Sequence, residues 1–153
     1  MAGGALVGAA FGQMRAETLA ALAESGSIRL TPWRMLLIEE AVAMPELPGL
    51  VTRADDPLLR VAACTGAPGC PQAFQPTRDI ARALAPLVAG AASGEGILLH
   101  VSGCAKGCAH PAPAPLTLVG MATGFDLVRD GDAAASSAVS GLTADPAVLS
   151  GFL

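Results

Sequence analysis

Residues 63–75, ACTGAPGCPQAFQ, set Cys64 and Cys70 in a loop of glycine, proline and small residues, directly after the apolar run LLRVAA (58–63). A second stretch, HVSGCAKGCAHPAPAP (100–115), repeats the arrangement, with GILLHVS (96–102) leading into Cys104 and Cys108. The chain has 4 cysteines in all, so every thiol lies in these two corners. Both corners follow strand-like segments, and open α/β sheets build their sites at the C-terminal ends of strands. In a reducing compartment, four cysteines so arranged point to metal before disulfides. Two thiol pairs on two loops can enclose a tetrahedral four-sulfur site, which means zinc or an iron–sulfur cluster. Structural zinc favours tighter C-x2-C knuckles. Here the spacings are C-x5-C and C-x3-C. These longer loops leave room for a larger group, and their small residues let backbone N–H groups approach cluster sulfurs. The spacing favours a [4Fe–4S] cluster, with zinc as the alternative.

Composition narrows the class. Of 153 residues, 52% are hydrophobic and 14% charged, which excludes a disordered chain. Runs such as AGGALVGAA and VAGAASG account for part of the apolar surplus. Apolar surface covered by a partner is the other expected source. Net charge is −4 and Lys106 is the single lysine, a poor endowment for binding nucleic acid. The arginine bias suits a bidentate grip on carboxylates. Gly and Pro interrupt every long apolar stretch, so no membrane-spanning helix is expected. The N-terminal MAGGALVGAAFGQM lacks the basic region of a signal peptide, and a cytoplasmic location is expected.

Hydrophobic periodicity divides the chain into a β-α-β piece and a longer α/β piece. In the first, ALVGAAF (5–11) reads as a strand. RAETLAALAESG (15–26) reads as a helix with Leu19 and Leu22 inward and Gly26 as its cap. SIRLTPWRMLLIEEA (27–41) reads as one strand with Pro32 at a bulge or edge, and 44–57 as a Pro-punctuated connection. In the second, QPTRDIARALAPLVAG (75–90) carries a helical stripe of Ile80, Leu84, Leu87 and Val88. PLTLVGMATGFDLVRDG (115–131) reads as a hairpin turning near Thr123-Gly124, and a closing helix begins near Thr143 or Asp145.

The cysteine pattern C-T-G-A-P-G-C…G-C-A-K-G-C-A-H-P resembles the C-x5-C…C-x3-C motif of the sirohaem-dependent sulfite and nitrite reductases. Together with RLTPWRMLLIE and HPAPAPLTLVG, it most resembles the precorrin-3B synthase family of aerobic cobalamin biosynthesis. The resemblance implies an α+β fold: a ferredoxin-like half-domain over 1–55, then a cluster-binding α/β half-domain over 56–153. It implies Cys64, Cys70, Cys104 and Cys108 as ligands of a [4Fe–4S] cluster. Sirohaem or a mononuclear non-haem iron is implied as the adjacent centre, with Cys108 in the position that bridges cluster to haem where sirohaem is present. The implied activity is oxygen-dependent hydroxylation of precorrin-3A at C20 with lactone formation, the cluster supplying electrons from a reduced nicotinamide cofactor or another donor. Members of this family carry two such repeats with the tetrapyrrole between them. This chain supplies one, most like the C-terminal one, which implies as partner the N-terminal repeat or a second subunit. The rival readings are half of a sirohaem-dependent sulfite or nitrite reductase, and a non-catalytic electron-carrier or zinc-stabilised module.

Beyond the cysteines, three residues are candidates for cofactor or substrate contact. Lys106, inside the C-x3-C loop, could offset cluster charge or touch a substrate carboxylate; the plain reading is a solvated loop tip. His110 could hydrogen-bond a cluster sulfide, bind a separate iron or move protons; the plain reading is a loop histidine satisfied by backbone. Arg34 could reach a tetrapyrrole carboxylate, against a surface arginine. Trp33 is read as core, with stacking on a macrocycle as the alternative. His100 is read as a satisfied core histidine, and the aspartates of DLVRDGD as turn residues. The catalytic residues are not legible from the sequence.

Overall fold

A computed structural model describes residues 3–91 and 96–153, in two units, Met1–Asp56 and Pro57–Leu153. In the first unit the alternation of Ala5, Leu6 and Val7 makes β1 (Gly4–Ala9), followed by α1 (Ala16–Ala23), β2 (Ile28–Leu30), β3 (Met35–Glu39) and β4 (Leu50–Val51). The sheet order is β2-β3-β1-β4, with every pairing antiparallel. The period of two sends Ala5 and Val7 to one face, where they pack with Leu22 of α1 and Ile38 of β3. Leu19, expected inward, is 48% exposed. The eight-residue α1 buries only Thr18 and Leu22, one turn apart, and Leu19 falls off that line.

The segment 27–41 departs from the expectation of a single strand. It is a hairpin in which β2 and β3 pair antiparallel, with Leu30 opposite Leu36 and Ile28 opposite Ile38. The turn is closed by Thr31, whose N–H and hydroxyl donate to Met35 O at 3.1 and 2.9 Å. Pro32 presets its own φ, and Arg34 completes the reversal at φ +60°. Trp33 therefore stands at the hairpin tip, 73% exposed, and not in the core. Arg29 and Arg34 are separated by the turn: Arg29 pairs with Glu39 across the hairpin at 2.6 Å, while Arg34 sits exposed at the tip.

The second unit runs β5 (Val61–Ala63), α2 (Arg78–Ala91), β6 (Leu99–Ser102), β7 (Ala114–Met121), β8 (Gly124–Gly131), β9 (Val139–Leu142) and α3 (Pro146–Leu149). Its sheet keeps sequence order, β5-β6-β7-β8-β9; the first two pairings are parallel and the last two antiparallel. The parallel strands are buried on both faces, as their continuous apolar sequence requires: all four residues of β6 are buried. α2 turns Ile80, Leu84 and Val88 inward, together with Ala81 and Ala85. The two alanines draw the buried face round and leave Leu87, expected in the stripe, 49% exposed at its margin. The β7–β8 hairpin turns through Ala122 and Thr123, with Gly124 paired to Met121. β9 was not expected; SSAVSGL is too polar to announce a strand, and it pairs as the sheet's edge. Asp145 caps α3 by accepting from Ala147 N–H at 2.8 Å, with Pro146 opening the helix.

Arg34 holds a left-handed backbone that costs a non-glycine residue roughly 1–2 kcal/mol. Arg34→Gly is therefore expected to raise the stability of the chain by roughly 0.5–1 kcal/mol, net of the freedom glycine adds to the unfolded state. A higher urea midpoint would show it.

Candidate functional site

The two cysteine loops meet because the two strands that carry them are parallel neighbours. β5 and β6 pair with Ala63 opposite Val101, and the next residue, Cys64, donates its N–H to Val101 O at 3.4 Å. Cys64 and Cys104 thus leave the sheet at the same end, past the C-termini of their strands. The contact between the loops is direct: Gly103 N–H donates to Cys64 Sγ at 3.2 Å, and Phe74 N–H donates to Gly103 O at 2.8 Å.

The first loop folds back on itself. Cys70 N–H donates to Gly66 O at 2.8 Å, and Ala67 N–H to Gln75 O at 2.9 Å. Buried Thr77 donates its hydroxyl to Cys64 O at 2.7 Å. Gly66 is required here. It sits at φ +67°, and a Cβ would lie 2.6 Å from Thr77 Oγ1 and 2.8 Å from Thr77 N. The Gln75 side chain then reaches the end of β7, donating to Met121 O at 2.8 Å. In the second loop Ser102 donates its hydroxyl to Cys104 O at 2.7 Å, and His110 N–H donates to Gly107 O at 3.1 Å. A shallow cavity of about 90 Å³ opens beside this turn, lined by Lys106, Gly107, Pro111, Asp132 and Ala133 among others.

All four cysteines are free thiols; Cys64, Cys70 and Cys104 are half-buried and Cys108 is exposed. Among the described residues, no three His, Cys, Asp or Glu side chains are gathered tightly enough to hold one metal ion. Zinc would need its thiolates at about 2.3 Å from a shared centre. A four-iron cube takes its thiolates at its corners and leaves them wider apart. The donor chemistry fits such a group: four free thiols on two loops that touch at Gly103 and Cys64, with one backbone amide already aimed at Cys64 Sγ. Amides aimed at sulfur stabilise the charge of a thiolate-ligated centre.

The remaining candidates divide. Lys106 and His110 belong to the cysteine unit, with Lys106 exposed and His110 half-buried. Arg34 lies in the other unit, at the hairpin tip. His100 corrects the expectation of a satisfied core histidine. It is fully buried, yet neither Nδ1 nor Nε2 has a hydrogen-bond partner among the described residues. Burial, with a smaller contribution from neighbouring His110, lowers its pKa from the ordinary 6.5 to about 4. The rings of His100 and His110 meet edge to face, centroids 5.8 Å apart. Three residues escaped the sequence reading: Phe74, 59% exposed beside the thiols, Gln75 and Thr77. The Gln-Pro-Thr that opens α2 was their only signal, since it reads as a helix start and not as a strut.

The fold defines the class: an α+β module with its cysteines hung from the ends of parallel strands. The chain shares its fold with the NirA protein of Mycobacterium tuberculosis, at a TM-score of 0.57 over 81% of this chain and 28% of that one, with 24% sequence identity. Its sequence is similar to that of a precorrin-3B synthase. It is 34% identical to the precorrin-3B synthase of a Sinorhizobium species over 141 aligned positions, covering 83% of this chain and 30% of that protein. The chain thus spans less than a third of its relative's length. It matches no family model.

Two outcomes test the site's construction. At Gly120 a Cβ would lie 2.6 Å from Gly103 O and 2.8 Å from Gly103 C, both backbone. Gly120→Ala is expected to push the Cys104 loop off β7 and cost roughly 1–3 kcal/mol in thermal or urea unfolding. His100 binds its proton more tightly unfolded, at 6.5, than folded, at about 4. Its contribution to stability is therefore complete above pH 6.5 and is lost as the pH falls toward 4. Unfolding measured across that range should show a slope that His100→Gln removes.

Proposed function

We propose that this chain is an iron–sulfur oxidoreductase module of the precorrin-3B synthase kind, acting in cobalamin biosynthesis. Cys64, Cys70, Cys104 and Cys108 would hold a [4Fe–4S] cluster. The observation that supports this most directly is the meeting of the two cysteine loops at one end of the parallel strands, with Gly103 N–H on Cys64 Sγ. A bound cluster supplies one-electron transfer to whatever centre lies beside it.

The chain's own residues orient and tune the site. The Gly103 amide offsets thiolate charge at Cys64, and Thr77 and Ser102 fix the carbonyls of Cys64 and Cys104 so that each cysteine keeps one backbone direction. Lys106, exposed in the turn between Cys104 and Cys108, would add a positive charge near the cluster or meet a substrate carboxylate. His110 would lie at the same rim. Arg34, on its strained hairpin tip, would grip a carboxylate of the tetrapyrrole with its planar fork. The overall reaction would be oxygen-dependent hydroxylation of precorrin-3A at C20 with lactone formation. Electrons would come from a reduced nicotinamide cofactor or another donor, and sirohaem or a mononuclear iron would be the neighbouring centre. A chain spanning 30% of its relative would act with the missing part, either an N-terminal repeat or a second subunit.

Anaerobic reconstitution with iron and sulfide tests the reading. The expected product is brown, contains iron and acid-labile sulfide in equal amounts, and shows a broad visible absorption that bleaches on reduction. Serine in place of any of the four cysteines should abolish or strongly diminish that absorption. A colourless protein that takes up one zinc per chain would overturn the proposal in favour of a zinc-stabilised module.

A further inference from the structure

A buried polar group without a partner costs folding free energy, so native chains keep very few. His100 is such a group, fully buried with both ring nitrogens unpartnered among the described residues. The neutral imidazole that burial enforces carries one N–H donor and one lone pair, and neither is used. Leucine or valine would fill the same place in a buried parallel strand at lower cost.

Its surroundings point to the use. His100 lies on β6, which ends at Ser102, two residues before Cys104. Its Cε1, the carbon between the two nitrogens, faces Gly107, where an added Cβ would lie 3.7 Å away. Gly107 directly precedes Cys108, and His110, two residues beyond it, sets its ring edge-on to His100. The imidazole therefore lies against the Cys104–Cys108 turn, next to Gly107 and edge to face with His110.

We propose that His100 is a positioning residue for the cysteine site, its N–H held back from the protein so that it donates to sulfur of the thiolate-ligated group once that group is bound. The inference rests on the reading of the four cysteines as ligands. It assigns to His100 what the Gly103 amide does for Cys64 on the other loop. One cysteine loop is supported by a backbone donor and the other by a side-chain donor.

The test compares the full chain with His100→Leu and His100→Gln, each before and after anaerobic loading with iron and sulfide. Before loading, at neutral pH, His100→Leu should unfold at the same temperature as the wild type or higher, because an unsatisfied polar group has been removed. After loading, His100→Leu should release iron to a chelator roughly tenfold faster. Its reduction midpoint should also fall, because a donor to sulfur favours the reduced, more negative state. His100→Gln, which keeps an N–H, should recover part of both changes. A lowered unfolding temperature for unloaded His100→Leu would overturn the proposal, because it would reveal an internal partner such as a trapped water. Equal chelator rates and equal midpoints in loaded wild type and His100→Leu would overturn it too, while leaving the cluster reading intact. A wild type that takes up no iron–sulfur cluster would overturn the cluster reading and this one with it.

Discussion

The parallel pairing of β5 with β6 is the constraint on which the rest of the cysteine unit depends. These strands are three and four residues long and share three register positions. With side chains alternating between faces, a slip of one residue would turn Cys64 to the opposite face and break its amide contact with Gly103. What prevents the slip is the burial of one apolar face. Val61, Ala63, Leu99 and Val101 are buried, and α2 packs Ile80, Leu84 and Val88 into the same core. Burying the side chain of one such residue is worth roughly 1.5–3 kcal/mol, so register is held by the core and not by the loops that use it.

The loops in turn spend their polar groups on each other. Thr77, Gln75 and the amides of Phe74 and Gly103 bind segments that the chain would otherwise leave apart, while Ser102 fixes the Cys104 carbonyl locally. The surface ion pairs Arg15–Glu17 and Arg53–Asp55 look different. Both are well exposed and local, and such pairs contribute little.

Part of this was legible in the sequence, for identifiable reasons. α2 and the β7–β8 hairpin carry long, regular apolar periods, and their positions could be read within a few residues. The fold class was implied by the resemblance that the cysteine motif carries, and the division into a β-α-β piece and a longer α/β piece by hydrophobic periodicity. The β2–β3 hairpin was hidden because Thr-Pro-Trp-Arg lacks the Gly or Asn that usually marks a tight reversal. Its left-handed residue is an arginine, and apolar β-formers flank it on both sides. Trp33 was misjudged on the same ground, since a tryptophan inside an apparent strand is ordinarily core. β9 was hidden by its polarity, as edge strands facing water often are. At His100 the sequence indicated burial but could not indicate that nothing inside the described protein answers its nitrogens. That is a property of neighbours and not of pattern.

The distance along the chain between the thiols has a kinetic meaning. Cys64 and Cys70 are joined to Cys104 and Cys108 only through the crossover that includes α2. The two pairs come together only after that crossover has closed and β5 has found β6. In a short zinc knuckle the ligands are sequence neighbours, and the metal itself drives folding. Here the polypeptide must first pay for a long-range, parallel contact, a slow kind of event. Capture of one group by all four thiols, as proposed above, would thus follow folding and not nucleate it, and a chain that stalls before β5–β6 pairing would present two separated dithiols.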